Sequence, residues 1–208
     1  MADSLDLRDL EHRPVKYWNE DGLPELVMGL LWIVWGGAFL LGTRLPRGPV
    51  WNVYWMFTPV LLATSGVAAV WATKKLKARM TFPRTGYVRW KEPTRAERAL
   101  GAGLAVVTAA LLAALLAKSR TAGLERVAAP GLGAILGVGF LVASLTQRAP
   151  HLLALAGISL ALGLAFGALG TGFEAMNWML VALGAFATAF GAARFRMFLA
   201  RHPMGTPE

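Results

Sequence analysis

The sequence predicts an all-α transmembrane protein: a six-helix membrane bundle with both termini cytoplasmic and a small cytoplasmic β-hairpin between helices 2 and 3. Three observations lead to this prediction. The chain is 56% hydrophobic and only 16% charged, whereas soluble proteins have roughly a quarter charged residues. The charged residues cluster between long apolar runs. With six crossings, 16 of the 21 Lys and Arg fall on one side, and basic loops mark the cytoplasmic side of a membrane.

The chain begins with a polar segment and an aromatic-rich pair of spans. Residues 1–22 form a cytoplasmic segment that lacks the apolar core of a signal peptide. The first span covers residues 24–41 and the second covers residues 50–72, so that residues 24–72 form a transmembrane hairpin. Pro24 suits the first turn of a helix, and Glu25 lies at the positive end of the helix dipole.

Four Ala- and Gly-rich spans follow within residues 100–194, each near the roughly 20 residues needed to cross hydrocarbon. Small residues spaced by four lie on one helix face, where two backbones can approach closely. We expect these faces to pack within the chain, with a homodimer face or a pore lining as alternatives. The spans cover residues 100–117, 129–146, 152–170 and 178–194, before a cytoplasmic tail of residues 195–208. The small-residue faces include Gly133 with Gly137, Ser159 with Gly163 and Gly167, and Gly184 with Thr188 and Ala192.

A basic cytoplasmic loop, residues 73–99, separates the two parts and holds nine of the 21 Lys and Arg. Its first basic residues follow the second span directly, at the level of anionic lipid headgroups. Polar and apolar residues alternate on both sides of Pro83-Arg84-Thr85-Gly86, a sequence typical of a tight turn. This pattern predicts a β-hairpin with Phe82 opposite Tyr87. Because an isolated hairpin is marginal in water, it should lie against the membrane or the N-terminal segment.

Carboxylates at the cytoplasmic mouth of the first span face the basic loop in this topology. We expect them to pair with the loop arginines and clamp the hairpin over the first two spans; two solvated, unpaired charge sets are the alternative. The same loop residues could instead dock an acidic protein, or bind a phosphate-bearing headgroup or nucleotide through bidentate arginines. The carboxylates are Glu20, Asp21 and Glu25, and the loop residues are Arg79, Arg84, Tyr87 and Arg89.

Two motifs carry a resemblance to a known group of proteins. Residues 17–26 read YWNEDGLPEL and residues 79–88 read RMTFPRTGYV. These stretches resemble the YW.EDG..E start and the PRTGYV loop of an uncharacterised family of small bacterial multi-pass inner-membrane proteins. The similarity covers residues 15–90, and Phe82 stands where the family pattern usually has Tyr. The resemblance implies a bacterial inner-membrane location and makes the two motifs the expected functional pair.

No catalytic, cofactor-binding or metal site is predicted. The chain has no cysteine, which excludes disulfides and thiolate metal sites. His12, His151 and His202 are far apart in sequence, and none has a partner at the spacing of metal ligands. Nucleophile-elbow, zinc-protease and P-loop motifs are absent from the sequence. We therefore predict that the chain is not an enzyme and needs no cofactor.

The leading functional prediction is an accessory or regulatory subunit that engages a protein partner or anionic lipid through its cytoplasmic loop. The lipid bilayer itself is the first partner, and a homo-oligomer is compatible with the small-residue faces. Nucleic acid is not expected, because the positive-inside pattern already explains the net charge of +9. The alternative is a small transporter or channel for an uncharged or weakly charged solute. Such a path could be lined by Pro59, Thr64, Ser65 and Asn177.

Overall fold

The computed structural model of the protein describes residues 20–85, 127–147, 149–170 and 172–203. Within these ranges all regular secondary structure is helical. The helices are α1 (Leu23–Arg44), α2 (Pro49–Leu76), a π-helix (Lys77–Thr81), α3 (Phe82–Thr85), α4 (Ala128–Gln147), α5 (Leu152–Leu169) and α6 (Gly172–Arg201).

Five helical stretches in the described part of the chain are long and apolar enough to cross a membrane. They correspond to the predicted first, second, fourth, fifth and sixth spans, which is consistent with a multi-pass membrane protein. Two stretches exceed their predicted bounds: α2 continues through the π-helix and α3 to Arg84, and α6 begins at Gly172 instead of residue 178. The predicted third span, residues 100–117, lies outside the described residues.

The closest helix contact joins α1 and α6, which run antiparallel. Glycines spaced by seven on α1 face small residues on α6, so the two backbones touch. A Cβ atom added at Gly36 would lie 2.8 Å from the carbonyl oxygen of Asn177, and one added at Gly184 would lie 2.7 Å from that of Gly29. The predicted face of Gly184 and Thr188 therefore packs within the chain. Its partner on α1 is Gly29, while Gly22, directly before α1, meets Gly191, and Gly36 meets Asn177 and Val181.

A second small-residue contact joins α4 and α5. A Cβ atom added at Gly133 would lie 2.7 Å from the Cα atom of Gly163, and the predicted faces on the two helices meet at this point. A larger core forms where α4 and α5 pack on α1 and α6. Trp32 of α1 is buried in it and meets the ring of Phe140 edge-on, with centroids 5.7 Å apart.

α2 packs mainly on α1, and two hydrogen bonds join the two helices. The indole N–H of Trp35 donates to Ser65 Oγ at 2.8 Å, and the hydroxyl of Tyr54 donates to the carbonyl of Ala38. Pro59 lies inside α2 and lacks an N–H for the helical ladder. The neighbouring hydroxyl of Thr58 donates to the carbonyl of Tyr54 at 2.8 Å. This hydrogen bond goes to the carbonyl of residue 54, whereas the carbonyl that Pro59 leaves without its helical donor is that of residue 55.

The predicted β-hairpin is wrong for residues 80–85, which are helical. The π-helix Lys77–Thr81 continues α2, and the backbone N–H of Phe82 donates to the carbonyl of Lys77, five residues earlier. In a regular α-helix the ring of Pro83 would clash with the carbonyl of residue 79, and the wider π turn comes directly before it. The alternating polar and apolar residues from Met80 to Phe82 therefore lie on a helix and not on a strand. The predicted second strand lies outside the described residues.

Candidate functional site

Buried and half-buried ionisable residues at the ends of four helices meet at one end of the bundle, which we call the polar end. α1 and α5 begin there, whereas α2 and α6 bring residues near their C-terminal ends to it. The predicted first span therefore meets the end of the second span, as its topology requires. The residues that define the polar end are Asp21, Glu25, Lys77, Thr81, His151 and Arg194.

The first cluster of the polar end centres on Asp21, which is fully buried. Lys77, also fully buried, donates from Nζ to both carboxylate oxygens of Asp21, at 2.7 and 2.6 Å. The Thr81 hydroxyl donates to Oδ2 at 2.9 Å, and the backbone N–H of Leu23 donates to Oδ1 at 3.2 Å. Each oxygen of the carboxylate thus accepts two hydrogen bonds, which is the condition for a stable buried ion pair.

Gly22 makes this arrangement possible at the start of α1. Its φ of 74° lies in the left-handed region that side chains other than glycine rarely adopt. A Cβ atom here would also lie 2.6 Å from the carbonyl oxygen of Gly191 and 2.7 Å from the Cβ atom of Arg194. The glycine turn therefore places Asp21 beneath Lys77 while α1 stays in contact with α6.

The second cluster centres on Glu25, one turn into α1, which is 5% exposed. Its Oε1 atom accepts a hydrogen bond from His151 Nε2 at 2.7 Å and another from Arg194 Nη1 at 2.8 Å. Because a carboxylate oxygen accepts here, Nε2 of His151 is the protonated ring nitrogen. The second terminal nitrogen of Arg194, Nη2, donates to the carbonyl of Glu20 at 3.3 Å. The cluster ties the starts of α1 and α5 to α6.

One atom of the second cluster has no partner among the described residues. Glu25 Oε2 is buried and makes no hydrogen bond there. Glu25 also lines a cavity of about 340 Å³ between α1, α4, α5 and α6. The rest of the lining is mainly apolar: Pro24, Met28, Trp32, Phe140, Ala143, Gln147, Leu152, Leu155 and Ala187.

Exposed charges at the polar end are mostly basic. Lys74, Lys75 and Arg79 lie along the outer face where α2 passes into the π-helix, and Arg196 and Arg201 lie near the end of α6. Glu20 is the exposed acidic residue among the described residues at this end. The two other carboxylates there are buried in the clusters, so the surface is basic. We call these five exposed basic residues the basic rim.

The structure places the predicted site residues in different environments. Asp21 pairs with Lys77, and Glu25 pairs with Arg194 and His151, instead of with the loop arginines that we expected. Arg84 donates to the carbonyl of His202 at 2.8 Å. Glu20 and Arg79 are exposed. Tyr87 and Arg89 lie outside the described residues, so the expected anion site of Arg84, Tyr87 and Arg89 stays a prediction.

Sequence reasoning missed Lys77, Thr81, His151 and Arg194 as partners of the carboxylates. A signal for two of them was present, because residues four apart lie on one helix face, and Lys77 and Thr81 have that spacing. The sequence does not single out His151, because no partner lies near it at the spacing of metal ligands. Its partner Glu25 is 126 residues away, a separation that no local pattern reports.

The opposite end carries a simpler ion pair. Arg44 at the end of α1 donates from Nη2 to Glu174 Oε1 at 2.8 Å, and both side chains are more than half exposed. Exposed pairs of this kind contribute about 0–1 kcal/mol. Among the residues described, no three His, Asp or Glu side chains lie close enough to hold a metal ion. Comparison with protein-family models, with curated proteins and with solved structures finds no match to this chain.

Proposed function

We propose that this chain is a non-enzymatic accessory or regulatory protein of the bacterial inner membrane whose basic rim engages anionic lipid headgroups. One observation carries the proposal: at the polar end the carboxylates of Asp21 and Glu25 are buried and paired, while the basic rim is exposed. The bacterial location rests on the resemblance of residues 15–90 to the inner-membrane family described above.

The distribution of charge gives this surface its preference. If Asp21 and Glu25 were exposed, they would repel anionic headgroups and cancel much of the basic charge. Their burial leaves five exposed basic residues against Glu20 alone in the described part of this end. A Lys or Arg near an anionic membrane surface contributes about 1 kcal/mol. The rim therefore offers several kcal/mol of attraction to anionic lipid.

The ion pairs supply rigidity to this surface. Lys77 and Thr81 hold the π-helix against the start of α1, and Arg194 holds α6 against the same turn. Removing one partner of a buried ion pair lowers the stability of a protein by roughly 3–5 kcal/mol. The helices that bear the basic rim are therefore held in fixed positions relative to each other. A fixed array of cations favours a defined headgroup arrangement, which suits an accessory or regulatory role.

We also propose that the chain crosses the membrane six times, with both termini cytoplasmic. Residue 85 lies at the polar end, whereas α4 begins at the opposite end, where Ala129 packs near Ala175 and Met179. An odd number of crossings between them is needed, and the predicted span over residues 100–117 supplies one. The polar end then carries 16 of the 21 Lys and Arg, the charge bias of a cytoplasmic face.

The alternative function is a small transporter or channel for an uncharged or weakly charged solute. The cavity beside Glu25 supports it, since Glu25 lines this cavity and its Oε2 atom has no hydrogen-bond donor among the described residues. Against it, the cavity lies near one end and is lined mainly by apolar residues. The second span, with Thr64 and Ser65, packs mainly on α1 instead of forming a groove with α5 and α6 in the described structure. We therefore favour the lipid-binding function.

Gentle purification from native membranes, followed by mass spectrometry of what stays bound, tests the proposal. Anionic phospholipid should be enriched over the bulk membrane, and the enrichment should fall when Lys74 and Lys75 are both changed to Ala. The matched control changes Arg44 and Arg47, two exposed basic residues at the opposite end, to Ala and should leave the enrichment unchanged.

Two other outcomes would overturn the lipid-binding proposal. A stoichiometric acidic protein that is lost in the Lys74 and Lys75 variant would show that the basic rim docks a protein partner. Lipid of bulk composition, with no protein partner, would favour the transporter function, and flux of uncharged solutes into proteoliposomes would then be the next measurement.

A further inference from the structure

We propose that the cavity beside Glu25 binds an amphipathic small molecule with an uncharged hydrogen-bond donor at its head, such as a hydroxyl or an amide N–H, and an apolar body. The cavity is a partly open pocket between helices of the bundle, and its lining contains no residue of the basic rim. Binding in it is therefore independent of the proposed binding of anionic headgroups.

The head group follows from the state of the Glu25 carboxylate. The side chain is 4% exposed, and its Oε1 atom already accepts from His151 and Arg194. Its Oε2 atom is buried without a donor among the described residues. A buried acceptor that has lost water and gained no donor is unfavourable. Glu25 lines the cavity, and because its Oε2 atom has almost no accessible surface, a ligand donor at that end would satisfy it after a small shift of the carboxylate.

The balance of charges favours an uncharged donor. The two clusters at the polar end contain two carboxylates, Asp21 and Glu25, and two cations, Lys77 and Arg194. These four charges cancel. A cationic head would add an unpaired charge beside Arg194, and an anionic head would be repelled by Glu25 itself. Unpaired charge in such a setting is strongly unfavourable, whereas a hydroxyl or amide donates without adding charge.

The apolar body follows from the rest of the lining. Trp32 lies seven residues after Glu25 on α1 and hence about 10 Å further from the polar end. Its ring meets Phe140 edge-on, and Leu155 also lines the cavity. The cavity volume of about 340 Å³ falls within the range of roughly 300–1,000 Å³ found for small-molecule sites. A medium-length alkyl chain would extend from Glu25 toward the two aromatic rings.

Photolabelling of the full-length protein in lipid nanodiscs tests this assignment. The probe is decanol with a photoreactive diazirine on its chain, and mass spectrometry identifies the labelled residues. We expect saturable labelling at Met28, Trp32 and Phe140. Unlabelled decanol should compete, whereas decanoate and decylammonium, which have charged heads and the same chain length, should compete weakly.

A pair of matched variants on α4 locates the site. Ala143→Phe places a ring in the cavity and should abolish saturable labelling, while Ala134→Phe makes the same change on the exposed face of the same helix and should not. Labelling that never saturates, that survives Ala143→Phe in a folded protein, or that decylammonium or decanoate blocks as well as decanol would overturn the proposal. If Ala143→Phe does not fold, the competition among the three heads in the unaltered protein decides alone.

Discussion

Asp21 and Lys77, 56 residues apart in the chain, form an ion pair in which the Lys77 ammonium donates to both carboxylate oxygens and neither side chain reaches solvent. The pair joins the turn before the first span to the π turn after the second. Burying an ion is costly unless the ion is fully paired. Each of the two residues is therefore compatible with a stable fold only when the other is present.

Removing one member of this pair should therefore be worse than removing both. We expect Lys77→Met to lower the free energy of unfolding by roughly 3–5 kcal/mol, because Asp21 is left charged and buried. The double variant Asp21→Asn with Lys77→Met should recover part of that loss. Thermal unfolding followed by tryptophan fluorescence measures it. Lys74→Met, an exposed neighbour, should change little, and an equal loss in both single lysine variants would contradict the prediction.

The second cluster gives a similar test on α6. Arg194→Gln should lower the free energy of unfolding by roughly 3–5 kcal/mol, because it leaves the Glu25 carboxylate without its cation. Arg196→Gln, two residues further along the same helix and exposed, should stay within about 0.5 kcal/mol of the unaltered protein. Equal melting temperatures for the two variants would show that the buried pair adds nothing to stability.

Packing of α1 on α6 depends on particular glycines. Gly29→Ala should destabilise the contact by roughly 1–3 kcal/mol, the usual cost of overpacking, because the added Cβ atom would meet the backbone of Thr188 and Gly184. Gly37→Ala faces open space on the same helix and should be neutral or stabilising, since Ala favours helix over Gly by about 1 kcal/mol. Thermal unfolding of the two variants in parallel checks the difference, and a tolerant Gly29 with a sensitive Gly37 would refute the packing.

Topology can be measured directly because the chain contains no cysteine. Single cysteines introduced at Gly48 and Ala122 should react with a membrane-impermeant maleimide from the outer side. A cysteine at Gly86 should react only after the membrane is opened. Labelling of Gly86 and Ala122 from the same side would rule out six crossings.

Hydropathy predicted which segments are apolar, and it located three of the five described spans, α1, α4 and α5, within about three residues of their structural bounds. It did not predict where the helices end. The second span was expected to stop at residue 72 because the residues after it are basic. Helical hydrogen bonding nevertheless continues to Arg84, since hydropathy reports the membrane boundary and backbone bonding does not depend on it. The β-hairpin error followed from ending that helix too early.

The polar end was predicted in outline and missed in detail for a different reason. The sequence identified Asp21 and Glu25 as carboxylates at the mouth of the first span, and this is their location. Which cation each one meets is set by how α2 and α6 rotate against α1. Lys77 is one of several basic residues in a short run, and only the helical direction of its side chain separates it from Lys74. That direction is a property of the fold and not of composition.

The distance along the chain between paired residues has a consequence for synthesis. Glu25 is made 169 residues before Arg194, which at roughly 5–20 residues per second corresponds to about 10–30 s of translation. During that interval the Glu25 carboxylate does not yet have Arg194 to pair with. Closure of α6 on α1 therefore reports that the chain has been inserted as far as Arg194, and products that stop before this residue lack the ion pair.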